Sequence, residues 1–136
     1  PDLFPILDKY ISNLPGDYNA AAPVAVLKSF GDKPQRFLLD VREPKELTDS
    51  GYIDGAVNVP LRKLFENLKV LPRDLNTPIV TFCAIGHRGS IAMMTLQLLG
   101  YTNVKSIGGG FNNWVKNSLP FVKPAPANLA ASENKS

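Results

Sequence analysis

The chain has 136 residues, the length of one ordinary domain. Hydrophobic residues make up 44% and charged residues 20%, which excludes an intrinsically disordered chain and is typical of a globular domain. Fifteen basic and twelve acidic residues give a net charge of +3, and no basic block concentrates it. The charge therefore disfavours nucleic-acid and polybasic membrane roles and is compatible with a small anionic substrate.

Scarce residue types limit the chemistry further, because the chain has one cysteine, Cys83, and one histidine, His87. An intramolecular disulfide and a cysteine-rich zinc site are excluded, and too few ligands remain for a transition metal. No apolar run approaches the roughly 18 residues of a membrane span, and no signal peptide is visible. The sequence opens with Pro1, which predicts a processed or excised chain. A nucleophilic thiol fits a reducing cytosol, the default expectation, and is compatible with an exported chain.

The first predicted elements are helical. Residues 1–17 mix apolar residues with three prolines and read as an extension with a short helix over residues 6–14. Pro23 suits the first turn of a second helix, which runs to about Phe30 and stops at Gly31.

Short apolar runs then alternate with helical segments. These runs predict strands at residues 37–39, 56–59, 79–82 and 104–107. Strands that alternate with helices indicate an α/β fold with a parallel sheet covered on both faces.

The clearest helix is predicted over residues 88–99, closed by Gly100. Its predicted buried face consists of Ile91, Met94, Thr95, Leu98 and Leu99. Residues 61–68 and 112–116 are weaker helix candidates, and a flexible tail or linker is predicted over residues 122–136.

The chemistry is expected at the carboxyl ends of the strands, where open parallel sheets bind ligands. Three predicted strands end at Asp40, Cys83 and Gly108, and these ends should meet at one rim. Cys83 is followed by a short loop and then by the longest helix. Inward-pointing loop amides, the helix N-terminus and the charge of Arg88 would all favour its thiolate. The alternative is a buried, inert thiol, which this position disfavours.

For the other candidate site residues, a purely structural or surface role is the alternative to a functional one. Arg88 is predicted to bind an anion at the loop, against a surface helix arginine as the alternative. His87 is predicted to face solvent rather than act as a base. Asp40 and Arg42 are predicted to form a structural ion pair, and Arg42 is also a candidate source of positive potential near a substrate.

Three motifs carry a family resemblance. Residues 83–88, with the sequence CAIGHR, resemble the active-site loop Cys-x-x-Gly-x-Arg of rhodanese-type sulfurtransferases. Residues 39–46 and 51–60 are similar to the first signature of that family, and residues 99–114 are similar to its closing signature. The resemblance extends over about residues 18–121, the predicted domain. One departure is Gly89, where many single-domain relatives have Ser.

The resemblance implies an open five-stranded parallel sheet flanked by helices on both faces. Cys83 would take a sulfane sulfur from thiosulfate or a related anionic donor, become a persulfide, and pass the sulfur to cyanide or a thiol. No metal or organic cofactor is implied, and partners would be the acceptor thiol, an acceptor protein or a second rhodanese module. The implied site residues are the nucleophile Cys83, the positively charged Arg88 and Arg42, and the residues whose backbone amides line the loop, Ala84, Ile85, Gly86, His87 and Arg88.

Two other functions stay open. One is a rhodanese-like sulfur-carrier or protein-docking module that turns over no small molecule itself. The other is a phosphatase or arsenate reductase, but related phosphatase-like domains have a loop one residue longer. The shorter loop between Cys83 and Arg88 favours attack on sulfur.

Overall fold

The structure is a computed structural model that describes residues 2–31 and 36–125. It confirms the predicted α/β fold, with a five-stranded sheet in the order β1-β5-β4-β2-β3 and parallel pairing between all neighbours. The strands are β1 (Ala20–Ala21), β2 (Phe37–Asp40), β3 (Val57–Asn58), β4 (Ile79–Phe82) and β5 (Val104–Ile107). Part of the predicted C-terminal tail, residues 126–136, lies outside the described residues.

Helices connect the strands. They are α1 (Leu3–Ser12), α2 (Pro23–Gly31), α3 (Pro44–Ser50), α4 (His87–Leu98) and α5 (Gly110–Lys116), with 3-10 helices at Leu61–Lys63 and Phe65–Val70. The predicted bounds of α2 and α5 are within two residues of these, whereas α1 begins three residues earlier than expected. The weak candidate at 61–68 is two 3-10 helices rather than one α-helix. Within residues 2–31 and 36–125, each helix is too short or too polar to cross a bilayer.

Two apolar clusters cover the two faces of the sheet, because successive side chains along a strand point to opposite faces. One cluster includes Leu39, Ile79 and Cys83 together with residues of α4. The other includes Leu38, Val80, Val26 of α2, and Phe111 and Trp114 of α5. The sheet is therefore enclosed between α4 and the 3-10 region on one side and α2 and α5 on the other.

The buried face of α4 differs from the prediction. Ile91, Leu98 and Leu99 are exposed, and the buried residues are Gly89, Ala92, Met93 and Leu96. This set also has helical spacing, but it contains the two smallest residues of the helix. A Cβ atom on Gly89 would lie 3.0 Å from the Cα of Phe82 in β4. Close contact with the strand selects small residues at Gly89 and Ala92, and the face that contains them, rather than the face with Ile91 and Leu98, is turned to the sheet.

Two elements were absent from the predictions based on residue pattern. The strand β1 is only two alanines long, and α3 is a polar segment with no buried residue. Neither contains the hydrophobic periodicity from which elements are predicted. In addition, Val122, assigned to the predicted tail, forms an antiparallel bridge with Tyr52.

We expect Gly89→Ala to lower the free energy of unfolding by about 1–3 kcal/mol, because the added methyl meets backbone atoms in the middle of the sheet. Helix propensity alone would change stability in the opposite direction, by about 1 kcal/mol. Urea unfolding measures the difference. Gly16→Ala is the control, since nothing lies within 4 Å of its added methyl group. A more stable Gly89→Ala protein would contradict the close packing of α4 on β4.

Candidate active site

The sheet order brings the three predicted strand ends together. The strand β4 lies between β2 and β5, so Cys83, which follows β4, is flanked by the ends of both neighbours. The register pairs Asp40 with Phe82, the residue that precedes Cys83. Asp40, Cys83 and Gly108 thus lie at the carboxyl ends of three adjacent strands, on the edge of the sheet where they were expected.

Cys83 is a free thiol enclosed at the base of its loop. The residue is only 1% exposed and belongs to the apolar cluster under α4. Its Sγ atom nevertheless accepts a hydrogen bond from the backbone N–H of Gly86 at 3.1 Å. Gly86 has φ of +125°, a conformation that favours glycine and aims this amide at the sulfur. The Cys83 thiol is more buried than a thiol in an open binding loop would be. Its surroundings are not purely apolar, because the Gly86 amide contacts the sulfur.

The first turn of α5 orients the start of the loop. The N–H of Phe111 donates to the carbonyl of Cys83 at 2.8 Å, and the N–H of Asn112 donates to the carbonyl of Ala84 at 3.0 Å. In a trans peptide the carbonyl and the following N–H point in opposite directions. The amides of Ala84 and Ile85 are therefore turned away from α5, as a ring of inward amides requires. Their contact with a bound anion stays a prediction, as does that of the His87 and Arg88 amides.

Gly110 allows this close approach. A Cβ atom there would lie 2.5 Å from the carbonyl oxygen of Cys83 and 2.7 Å from the carbonyl atoms of Ala84, and φ is +65°. The close approach of α5 to the Cys83 loop therefore requires glycine at this position.

Arg88 is held by a carboxylate from α3. Its Nη1 and Nη2 atoms donate to the two carboxylate oxygens of Glu46 at 2.6 and 2.8 Å, and both side chains are about one-third exposed. Hydrogen bonding to Glu46, aided by the nearby Cys83, holds the pKa of Arg88 above its ordinary value. Hydrogen bonding from Arg88 in turn lowers the pKa of Glu46 from 4.5 to about 2, against the opposing effect of burial. Glu46 is the site residue that sequence reasoning missed, although it lies within the first signature, at residues 39–46.

Arg42 forms the predicted ion pair with Asp40. Its Nη2 lies 2.8 Å from Oδ2 of Asp40 and also donates to the carbonyl of Gly51 at 3.0 Å, and both charged side chains are 1% exposed. The guanidinium carbon lies 4.1 Å from the ring centre of Phe111, a cation–π contact. These contacts correspond to a structural role. Direct contact of Arg42 with a substrate stays a prediction.

The remaining loop side chains face outward. Ile85 is 57% exposed, and His87 is also exposed. Across the described ranges 2–31 and 36–125, no cluster of three His, Cys, Asp or Glu side chains could hold a metal ion.

A family assignment follows from the sequence profile described as "Rhodanese-like domain", which matches residues 23–117. The chain belongs to the rhodanese-like domain family. The profile contains the Cys83 loop, Arg88, Glu46 and the start of α5, so the geometry above lies within the rhodanese-like region.

Curated relatives and solved structures agree with the rhodanese-like assignment. The mouse "Thiosulfate sulfurtransferase/rhodanese-like domain-containing protein 3" is 31% identical over 65% of this chain and 64% of its own length. The human "Thiosulfate:glutathione sulfurtransferase" is 30% identical over 58% of this chain and 78% of its own. A crystal structure of a rhodanese-related protein from Thermoplasma volcanium is 31% identical, with a TM-score of 0.67 over 77% of this chain and 98% of that one. The match thus spans slightly less than two-thirds of the mouse relative.

Gly110→Ala should lower the free energy of unfolding by about 3 kcal/mol, because it combines a steric clash with left-handed strain. It should also speed amide exchange at Phe111 and Asn112. The matched control is Gly55→Ala, where φ is +83° and nothing lies within 4 Å. Gly55→Ala introduces the left-handed backbone strain without a clash, which should lower the free energy of unfolding by about 1–2 kcal/mol. Equal losses in the two variants would mean that α5 does not depend on Gly110 for its contact with the loop.

The Glu46–Arg88 ion pair makes a pH-dependent contribution to stability. Because the pKa of Glu46 is lowered in the folded protein, the contribution is complete above pH 4.5 and is lost as pH falls towards about 2. At pH 6 the free energy of unfolding of the wild type should exceed that of Glu46→Gln by at most about 1 kcal/mol, since partly exposed ion pairs contribute little. Urea unfolding from pH 6 to 2.5 tests this. A difference that does not shrink below pH 4.5 would contradict the pairing.

Proposed function

We propose that this chain is a sulfurtransferase that moves a sulfane sulfur from thiosulfate or a related donor to a thiophilic acceptor through a persulfide on Cys83. The observation that carries the proposal is the sulfur of Cys83 at the carboxyl end of β4, where the Gly86 amide donates to it at 3.1 Å. A loop that presents donors to this atom stabilises a negative charge on it.

In the first half-reaction, the thiolate of Cys83 attacks the outer sulfur of thiosulfate. A bond forms between the two sulfur atoms, the bond from the outer sulfur to the sulfonate breaks, and sulfite leaves with the electron pair. The product is the anionic persulfide of Cys83. Because the negative charge moves one atom outward, the amides of Ala84 to Arg88 are the proposed hydrogen-bond donors to the terminal sulfur.

In the second half-reaction, an acceptor attacks the terminal sulfur of the persulfide. Cyanide becomes thiocyanate, or a thiolate becomes a persulfide, and the electron pair of the broken sulfur–sulfur bond returns to Cys83. Splitting the transfer into two displacements is ordinary covalent catalysis. Neither step requires a metal or an organic cofactor.

The names of the relatives support this reaction class. Both the mouse and the human relatives are named for thiosulfate, and the human protein's name includes glutathione as the partner substrate. We propose thiosulfate as the sulfur donor and a small thiol as the acceptor for this chain as well.

A sulfur carrier without small-molecule turnover is the second candidate. It is favoured by the burial of Cys83, at 1% exposure, beneath a loop whose Ile85 side chain is exposed. Such a thiol would exchange sulfur when a partner protein contacts the loop. The short loop between Cys83 and Arg88 gives a phosphatase less support.

Cys83→Ser should reduce thiosulfate:cyanide sulfurtransferase activity to background, because a serine hydroxyl cannot form a persulfide. Intact-mass spectrometry should show an increase of about 32 Da in thiosulfate-treated wild type and none in the variant. Wild type alkylated with iodoacetamide is the matched control, since Cys83 is the single cysteine of the chain.

The possible outcomes of this experiment distinguish the candidate functions. Activity retained by Cys83→Ser would remove Cys83 as the nucleophile. A persulfide that forms but is not released to cyanide or glutathione would favour the carrier. Hydrolysis of p-nitrophenyl phosphate without persulfide formation would favour a phosphatase.

A further inference from the structure

Both arginines associated with the site are already paired with carboxylates. Arg88 contacts Glu46 through two hydrogen bonds, and Arg42 contacts Asp40 in the interior. A bound anion therefore meets two ion pairs rather than two free guanidinium charges.

Glu46 is held firmly in this position. Besides the two contacts with Arg88, its Oε2 accepts a hydrogen bond from the backbone N–H of Glu43 at 2.8 Å, at the start of α3. The carboxylate is thus fixed by a helix terminus on one side and by Arg88 on the other. Charge-assisted, bidentate contacts of this kind define one orientation of the guanidinium.

The charge of Glu46 opposes the binding of anions near Arg88. Arg88 attracts a donor, while the carboxylate paired with it cancels part of that attraction. The penalty grows with the charge of the donor, because Coulomb energy is proportional to the product of the charges. A dianion such as thiosulfate is therefore penalised about twice as strongly as a monoanion.

We propose that Glu46 is a specificity-determining positioning residue: it orients Arg88 and lowers the positive potential of the site, so that doubly charged sulfane donors are penalised more strongly than singly charged ones. This inference rests on the proposed sulfurtransferase function. It deepens that function by identifying the residue that makes the site sensitive to the charge of the donor.

Two donors with the same reacting bond isolate the charge. Thiosulfate carries two negative charges and releases sulfite, whereas methanethiosulfonate carries one and releases methanesulfinate. In both, the Cys83 thiolate bonds to the outer sulfur as the bond from that sulfur to the sulfonyl group breaks. With cyanide as the common acceptor, kcat/KM for the donor reports this first half-reaction alone.

Glu46→Gln removes the charge and keeps the length of the side chain. We expect the ratio of kcat/KM for thiosulfate to kcat/KM for methanethiosulfonate to rise about threefold to fivefold. The rise should come mainly through KM and should diminish in 0.5 M salt, because screening weakens the interaction. A merely structural role would change both donors alike and would not depend on salt.

Two variants provide controls. Asp49→Asn removes a negative charge from the same helix, but Asp49 pairs with the exposed Lys45, so the donor ratio should stay within twofold of wild type. Glu46→Asp retains the charge while shortening the side chain. Its donor ratio should also stay near wild type, even where looser positioning of Arg88 lowers both rates.

The results separate the two proposals. If Glu46→Gln leaves the ratio unchanged while wild type forms the Cys83 persulfide, the specificity role of Glu46 is wrong and the sulfurtransferase stands. If Glu46→Asp raises the ratio as Glu46→Gln does, charge is not the cause, and the inference is again overturned. If wild type forms no persulfide with either donor, the proposed function itself fails.

Discussion

Two main-chain hydrogen bonds from the first turn of α5 hold the loop that follows β4, and the geometry around Cys83 depends on them. The carbonyls of Cys83 and Ala84 accept from Phe111 and Asn112 at 2.8 and 3.0 Å. Since each carbonyl points towards α5, the next amide points the other way. The approach is close enough that Gly110 has no room for a side chain. The orientation of a loop of six residues is thus decided by a helix that begins more than twenty residues later.

The buried ion pair of Asp40 and Arg42 contacts the same helix through Phe111. Arg42 stacks on the ring of Phe111, and the Asn58 side chain donates to the carbonyls of Asp40 and Arg42, which ties β3 to this corner. Buried pairs are weak contributors to net stability, but they define geometry because either charge alone would be left uncompensated. The conformation of the loop and the position of the interior arginine are therefore coupled through one aromatic ring.

The two arginines are used differently. Arg42 is enclosed and paired with Asp40, whereas Arg88 is about one-third exposed and paired with Glu46. The contacts of Glu46 with the Glu43 amide and with Arg88 connect α3 to the end of the Cys83 loop. Helix α3 has no buried residue of its own, so its place in the structure is explained by the site more than by the core.

The sequence by itself determined the α/β class, four of the strands and the location of Cys83 at a strand end, because these features depend on local patterns of apolar residues and glycine. It also predicted the pairing of Asp40 with Arg42, which are two residues apart. The pairing of Glu46 with Arg88 and the contact of Gly110 with Cys83 join distant segments, and no local pattern records which segments the fold brings together. The buried face of α4 was predicted wrongly for a related reason. Hydrophobic periodicity favours the large residues Ile91 and Leu98, whereas close packing against β4 requires the small ones, and only the tertiary structure decides how near a helix lies to its sheet.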